Sequence, residues 1–162
     1  MRVLVTFASK HGSTREVAQR IAARLNELGA PTDVRPMSEV EELNGYDGVV
    51  IGSSVYFGHW MKEATAFVER IRPMLTGRSI WLFSTGPLRD QGATNPPEIA
   101  GLAAALPIVE HRLFGGAMSK SRLSFLERTI VKGVRAPFGD FRDWKEIDAW
   151  AATIAQQLKE AA

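Results

Sequence analysis

A chain of 162 residues that is 45% hydrophobic and 23% charged has enough apolar material for a full core, and its lack of cysteine excludes disulfides, a thiol nucleophile and a thiolate metal site. Twenty lysines and arginines against 18 acidic residues leave a formal charge of +2, and no basic–aromatic pattern points to nucleic acid. No apolar run approaches the roughly 20 residues of a membrane span, and the N-terminus enters a strand without a signal-peptide pattern. The expectation is a single cytoplasmic domain over 1–162.

Val3, Leu4, Val5 and Phe7 make a short apolar run that fits a buried strand. Ser9-Lys10-His11-Gly12-Ser13-Thr14 follows, five side chains that can donate hydrogen bonds around one glycine. Val17, Ile21, Leu25 and Leu28 then recur at the spacing of an amphipathic helix. Ser13 with Glu16 three residues later is a capping-box pattern, so the helix is expected to start against the loop. Gly29-Ala30-Pro31 stops it, and 33–37 reads as an edge-type strand because Pro36 removes a ladder donor.

One or two helical turns are expected over 40–43. The apolar run within 47–54 predicts a strand covered on both faces. Helix 61–72 turns Ala64, Phe67, Val68 and Ile71 inward and closes at Pro73. A fourth strand over 79–84, a helix over 97–106 and a fifth strand over 108–114 come next. Residues 119–134 read as helical, and the closing helix over 144–160 places Ile147, Trp150, Ala151, Ile154 and Leu158 on one stripe. Alternating strands and helices imply a parallel sheet with helices on both faces, whose ligands sit beyond the carboxyl ends of the strands. Three distinctive loops, 9–14, 53–60 and 85–92, follow strands and so converge on one rim.

Each loop brings its own chemistry. The first has hydroxyls and amides at a helix start, where the dipole favours an anion, although such residues also serve merely as caps. The second holds Tyr56, Phe57, His59 and Trp60 around Gly58, and the third, Thr85-Gly86-Pro87-Leu88, offers backbone groups to a heteroaromatic edge. A phosphate cradle, a stacking wall and a backbone ladder together describe a phosphorylated, planar, heterocyclic cofactor. A receiver domain would need acidic residues where Ala8-Ser9-Lys10 stands, and the glycine patterns of dinucleotide-binding folds and P-loop enzymes are absent. No paired histidines suggest a metal.

Over its first 90 or so residues the chain resembles the flavodoxin family. Ser9, Gly12, Ser13 and Thr14 fit that family's phosphate loop, with Lys10 and His11 in place of smaller residues. The resemblance implies a doubly wound five-stranded parallel sheet in the order 2-1-3-4-5, and FMN as the cofactor. It implies contacts from Ser9, Lys10, His11, Gly12, Ser13 and Thr14 to the phosphate. It also implies contacts from Ser53, Ser54, Val55, Tyr56, Phe57, Gly58, Ser84, Thr85, Gly86, Pro87 and Leu88 around the ring. Gly115-Gly116-Ala117, a basic segment and Asp143-Trp144 resemble the menaquinone-dependent protoporphyrinogen oxidase branch, which carries an extra helical segment before the last helix, here about 119–140.

That branch implies an FMN-dependent oxidoreductase that oxidises a hydrophobic, protoporphyrinogen-like substrate and passes electrons to a quinone. The alternative is a non-enzymatic flavodoxin-type carrier docking to redox partner proteins. His59 is the candidate catalytic residue, as a proton relay or a stabiliser of a reduced ring, or else a structural hydrogen bonder in a tight loop. Trp60 reads equally as core or stacking partner, Lys10 as a point charge for phosphate or a solvated residue, and His111 and Trp81 as ordinary strand residues. A bulky acid at Thr14 is expected to abolish FMN binding and spare the fold. In 119–135, Leu123, Leu126, Ile130 and Val134 make one stripe and Arg128, Lys132 and Arg135 lie opposite. Such a segment suits peripheral contact with the inner face of a membrane, a cover for a hydrophobic substrate, or packing on the protein's own core.

Overall fold

The computed structural model describes residues 1–10, 12–86, 95–118, 139–140 and 142–162. The first half runs β1 (Val3–Ala8), α1 (Ser13–Glu27), β2 (Thr32–Pro36), β3 (Gly48–Tyr56), β4 (His59–Trp60) and α2 (Lys62–Ile71). The second half runs β5 (Ser79–Gly86), α3 (Pro97–Ala105), β6 (Ile108–Gly115), β7 (Ala117–Met118), β8 (Gly139–Asp140) and α4 (Trp144–Ala161). Five parallel strands are hydrogen-bonded in the order β2-β1-β3-β5-β6, the doubly wound order expected. The two-residue β4 folds back antiparallel on β3, and β7 and β8 form a separate antiparallel pair.

All six residues of β1 are buried, because helices cover the sheet on both sides. Alternation along the strands then feeds two cores. Val3, Val5 and Phe7 join Val50, Trp81 and Phe83 against α1 and α4, while Leu4, Ala8, Val49, Ile51, Ile80 and Leu82 pack towards α2 and α3. Each fully buried Leu, Ile, Val or Phe side chain contributes roughly 1.5–3 kcal/mol of transfer free energy, so the two cores dominate the favourable side of folding. Phe83 lies across β3 at Gly52, where an added Cβ would stand 2.0 Å from the ring; the glycine makes room for that aromatic. Phe83, Phe114 and Trp150 form a cluster of edge-on and tilted rings with centroids 5.4 to 6.4 Å apart, joining β5, β6 and α4. Arg20 on α1 grips Asp148 on α4 through two hydrogen bonds of 2.7 and 2.6 Å.

Two local expectations fail for identifiable reasons. No capping box forms at α1: Gly12 occupies the cap position at φ 88°, Ser13 is the first helical residue, and Glu16 pairs with Arg142 instead of reaching back. Residues 40–43 are not helical, and the short helical turn sits earlier, at Met37–Glu39. The carbonyls of Val40 and Leu43, which a helix would use internally, accept from Arg70 and Arg78 at 2.8 and 3.1 Å. The predicted helix over 119–134, with its membrane or substrate-covering roles, lies outside the described residues, as do His11, Pro87 and Leu88. No helix among the described residues is long and apolar enough to cross a membrane.

Candidate functional site at the carboxyl rim of the sheet

Parallel pairing brings the ends of β1, β3 and β5 level, with Ala8 opposite Ser53 and Ser54 opposite Thr85. Beyond β1 the chain must reverse sharply into α1, and Gly12 takes the left-handed conformation that glycine adopts without a Cβ penalty. The Gly12 N–H donates to Ser9 Oγ at 3.0 Å, so Ser9 closes the loop rather than capping the helix. Gly12, at the cap position, has no side chain to cap the first turn of α1. The positive end of its dipole therefore faces a loop lined by hydroxyls and by no carboxylate over 9–14.

Thr14 is fully buried beneath this loop and fastens the rim together. Its Oγ1 shares hydrogen bonds of 2.7 Å with Ser54 Oγ and 2.7 Å with Thr85 Oγ1. One hydroxyl from each of the three predicted loops thus meets at a point. A Glu at this position would bury a carboxylate among them, so the expectation that a bulky acid here spares the fold does not stand.

Ser53 and Ser84 sit deeper. Ser53 Oγ donates to the Ser54 carbonyl at 2.9 Å and accepts the Met61 N–H at 3.1 Å, which holds the entry to α2. Ser84 Oγ accepts the Trp60 indole N–H at 2.7 Å and shares a 2.8 Å hydrogen bond with His111 Nε2. Burial disfavours the charged imidazolium and pushes the His111 pKa down to about 4, so the ring is neutral near pH 7. Trp60 is accordingly a core residue with its polar edge satisfied, and the Ser53 and Ser84 hydroxyls serve the scaffold.

Tyr56 pairs with His59 across a two-residue turn of Phe57 and Gly58, both at positive φ (51° and 79°), the pattern of a type I′ hairpin. The turn lifts Phe57 to 56% exposure at the rim. Tyr56 meets Phe57 edge-on at 4.7 Å between centroids, and the Lys10 ammonium stands 4.3 Å from the Tyr56 ring centre, linking the first loop to the second. Val55 lies behind them, in contact distance of any side chain added at Gly86. His59 is held by a 2.9 Å bond between Nδ1 and Glu98 Oε1, while Glu98 Oε2 accepts the Trp60 N–H at 3.3 Å. Burial alone would raise the Glu98 pKa, but its own backbone N–H, His59 and the Trp60 N–H hold it below the ordinary carboxylate range. The helix α3 thereby anchors the hairpin.

The rim is completed by Gly86, whose carbonyl accepts the N–H of Gly116 as the chain leaves β6. Hydroxyls, a helix start with glycine at its cap, an exposed aromatic hairpin and open glycine backbone fit a phosphorylated planar ring. Sequence reasoning found these loops but missed Glu98, the role of His111, and Arg142. Each acts through a partner on another element, 27 to 126 positions away, and no short motif encodes that pairing.

A family model described as a flavodoxin domain matches residues 4–144. This chain belongs to that family. Among curated proteins, this flavodoxin-domain chain is 25% identical over 172 residues to the protoporphyrinogen IX dehydrogenase (quinone) of Escherichia coli strain K12, covering 96% of this chain and 95% of that protein. Among solved structures, oxidised flavodoxin 1 from Bacillus cereus superimposes with a TM-score of 0.67 at 17% identity, covering 96% of this chain and 98% of that one. The rubredoxin oxygen:oxidoreductase of Desulfovibrio gigas superimposes with a TM-score of 0.69 at 12% identity, and 36% of its length is covered. At such identities these two likenesses establish the flavodoxin-like fold.

Proposed function

We propose that the rim binds FMN and that the protein is an oxidoreductase acting on a porphyrinogen-like substrate, with a quinone as electron acceptor. The observation that carries the cofactor reading is the meeting of Thr14, Ser54 and Thr85 under a helix start whose cap position is Gly12, beside an exposed aromatic hairpin. In this reading Ser9, His11, Gly12, Ser13 and Thr14 form the phosphate cradle, with Lys10 adding positive charge. Val55, Tyr56, Phe57 and Gly58 form one wall for the ring. Gly86, with Pro87 and Leu88 beyond it, lies along the ring edge. FMN, when bound, supplies the redox chemistry, and the chain orients it and tunes its electronics.

The choice of substrate and acceptor is supported by the Escherichia coli relative, whose match runs over nearly the whole of both chains, including the part after β6. In this reading His59, bonded to Glu98 at the foot of the hairpin, holds or passes a proton near the Phe57–Gly58 turn. The test is the visible spectrum of the purified protein with added FMN, followed by anaerobic assays with protoporphyrinogen and a menaquinone analogue. A yellow protein that oxidises the porphyrinogen only when quinone is present meets the proposal. A yellow protein that turns over neither compound assigns it to electron transfer between proteins, and a colourless one removes the cofactor.

A further inference from the structure

Among the described residues between β6 and α4, the β7–β8 pair forms a neck fastened to the rim at two points. On the outgoing side Gly116 packs on the Gly86 peptide so closely that a Cβ there would lie 3.3 Å from the Gly86 oxygen. β7 then pairs with β8, Ala117 opposite Asp140 and Met118 opposite Gly139. On the return side Arg142, with a side chain only 10% exposed, grips Asp140 through Nε at 2.9 Å and Nη2 at 2.6 Å. Its Nη1 donates to Glu16, and its guanidinium lies over the Trp144 ring, 4.7 Å from the centroid.

Glu16 occupies the first turn of α1, its N–H bonded to the Gly12 carbonyl at 3.2 Å. A carboxylate at a helix start is favourable with the dipole alone. It becomes unfavourable when a phosphate dianion shares that end of the helix, because like charges at such range repel, here across a carboxylate that is 39% exposed. Arg142 sets a cation, shielded from solvent, directly on that carboxylate.

We infer that Arg142 is a positioning residue for the phosphate site: it neutralises Glu16 at the mouth of the loop and ties the β7–β8 neck to α1. The inference rests on the phosphate-binding reading of the 9–14 loop given above. A pair that only fastened the neck would act equally on ligands with and without a phosphate. Charge neutralisation acts on the phosphate alone and is undone by removing the charge it neutralises.

The experiment is a pair of fluorescence-quenching titrations, with FMN and with riboflavin, which has the same ring and no phosphate. They are run on the wild type, Arg142→Gln, Glu16→Gln and the double variant E16Q/R142Q, with melting curves and circular dichroism for each. Arg142→Gln is expected to weaken FMN binding on the order of tenfold and leave riboflavin unchanged. The double variant is expected to recover most of the FMN affinity, and Glu16→Gln to bind FMN at least as well as the wild type. Equal FMN affinity in wild type and Arg142→Gln, equal losses for both ligands, or a double variant as weak as Arg142→Gln each overturns the inference. If Arg142→Gln does not fold, Arg142→Lys takes its place. It keeps the charge and gives up the fork to Asp140, so an FMN-specific affinity near wild type supports neutralisation, and parallel losses for both flavins overturn it. A wild type that binds neither flavin defeats the phosphate-site reading itself, and the inference with it.

Discussion

Thr14 Oγ1 and Thr85 Oγ1, 71 positions apart in the chain, lie 2.7 Å apart in a buried hydrogen bond at the carboxyl end of the sheet. Through it the start of α1 and the end of β5 are held in register, and Ser54 ties β3 to the same atom. The loop proposed to hold a phosphate and the strands proposed to flank a ring are therefore tied through one side chain.

Replacing Thr14 by Val keeps the shape and removes the hydroxyl that Ser54 and Thr85 share. The loss of stability is expected to be about 1–3 kcal/mol, because two largely buried hydroxyls lose a partner. FMN affinity should fall with it, whereas Thr14→Ser should retain most of both. Urea unfolding midpoints and flavin titrations on the two variants check this, and Thr14→Glu is expected to fold poorly or not at all.

Acid should destabilise the protein through His111. The imidazole is neutral in the fold and takes a proton only near about 4, whereas it does so near 6.5 when unfolded. Between those values the unfolded chain binds more protons, so stability is intact above 6.5 and falls as pH drops towards 4, by at most about 3 kcal/mol. His111→Gln, which keeps a hydrogen-bonding group towards Ser84 and cannot titrate, should flatten that part of the profile in denaturant unfolding measured from pH 7.5 to 4.

Phe57 sets fold against site. A non-glycine residue at φ 51° carries a backbone strain of roughly 1–2 kcal/mol, which Asn tolerates better. Phe57→Asn is expected to raise the melting temperature and to weaken flavin binding, since the exposed ring at the rim is lost. A variant that gained stability with unchanged flavin affinity would remove Phe57 from the ring wall.

The architecture was legible because burial writes itself into composition. The apolar runs of β1, β3 and β5, and the four-four-three stripe of α1, follow directly from which faces meet the core. The three rim loops were legible because turn and donor residues cluster after those strands. What failed was settled by distant side chains: Arg70 and Arg78 take the carbonyls of 40–43, and Arg142 takes the carboxylate that a capping box would have used. His111 looks like an ordinary residue of an edge strand until Ser84 is beside it. Such pairings depend on the assembled sheet, and no local period carries them.

Thr6 offers a test of the core free of any ligand. Its hydroxyl is fully buried in β1 and, among the described residues, has no hydrogen-bond partner. Removing an unsatisfied hydroxyl without changing the shape is expected to be neutral or to stabilise by about 1 kcal/mol, so Thr6→Val should unfold at the same or higher urea concentration.

The most direct test of the central claim is the amide spectrum of ¹⁵N-labelled protein as FMN is added. The largest shift changes are expected at the amides of 9–14, 55–58 and 85–86, with the outer edge of β2 and the far end of α4 unmoved. Changes confined to other parts of the chain, or none at saturating FMN, would contradict the account.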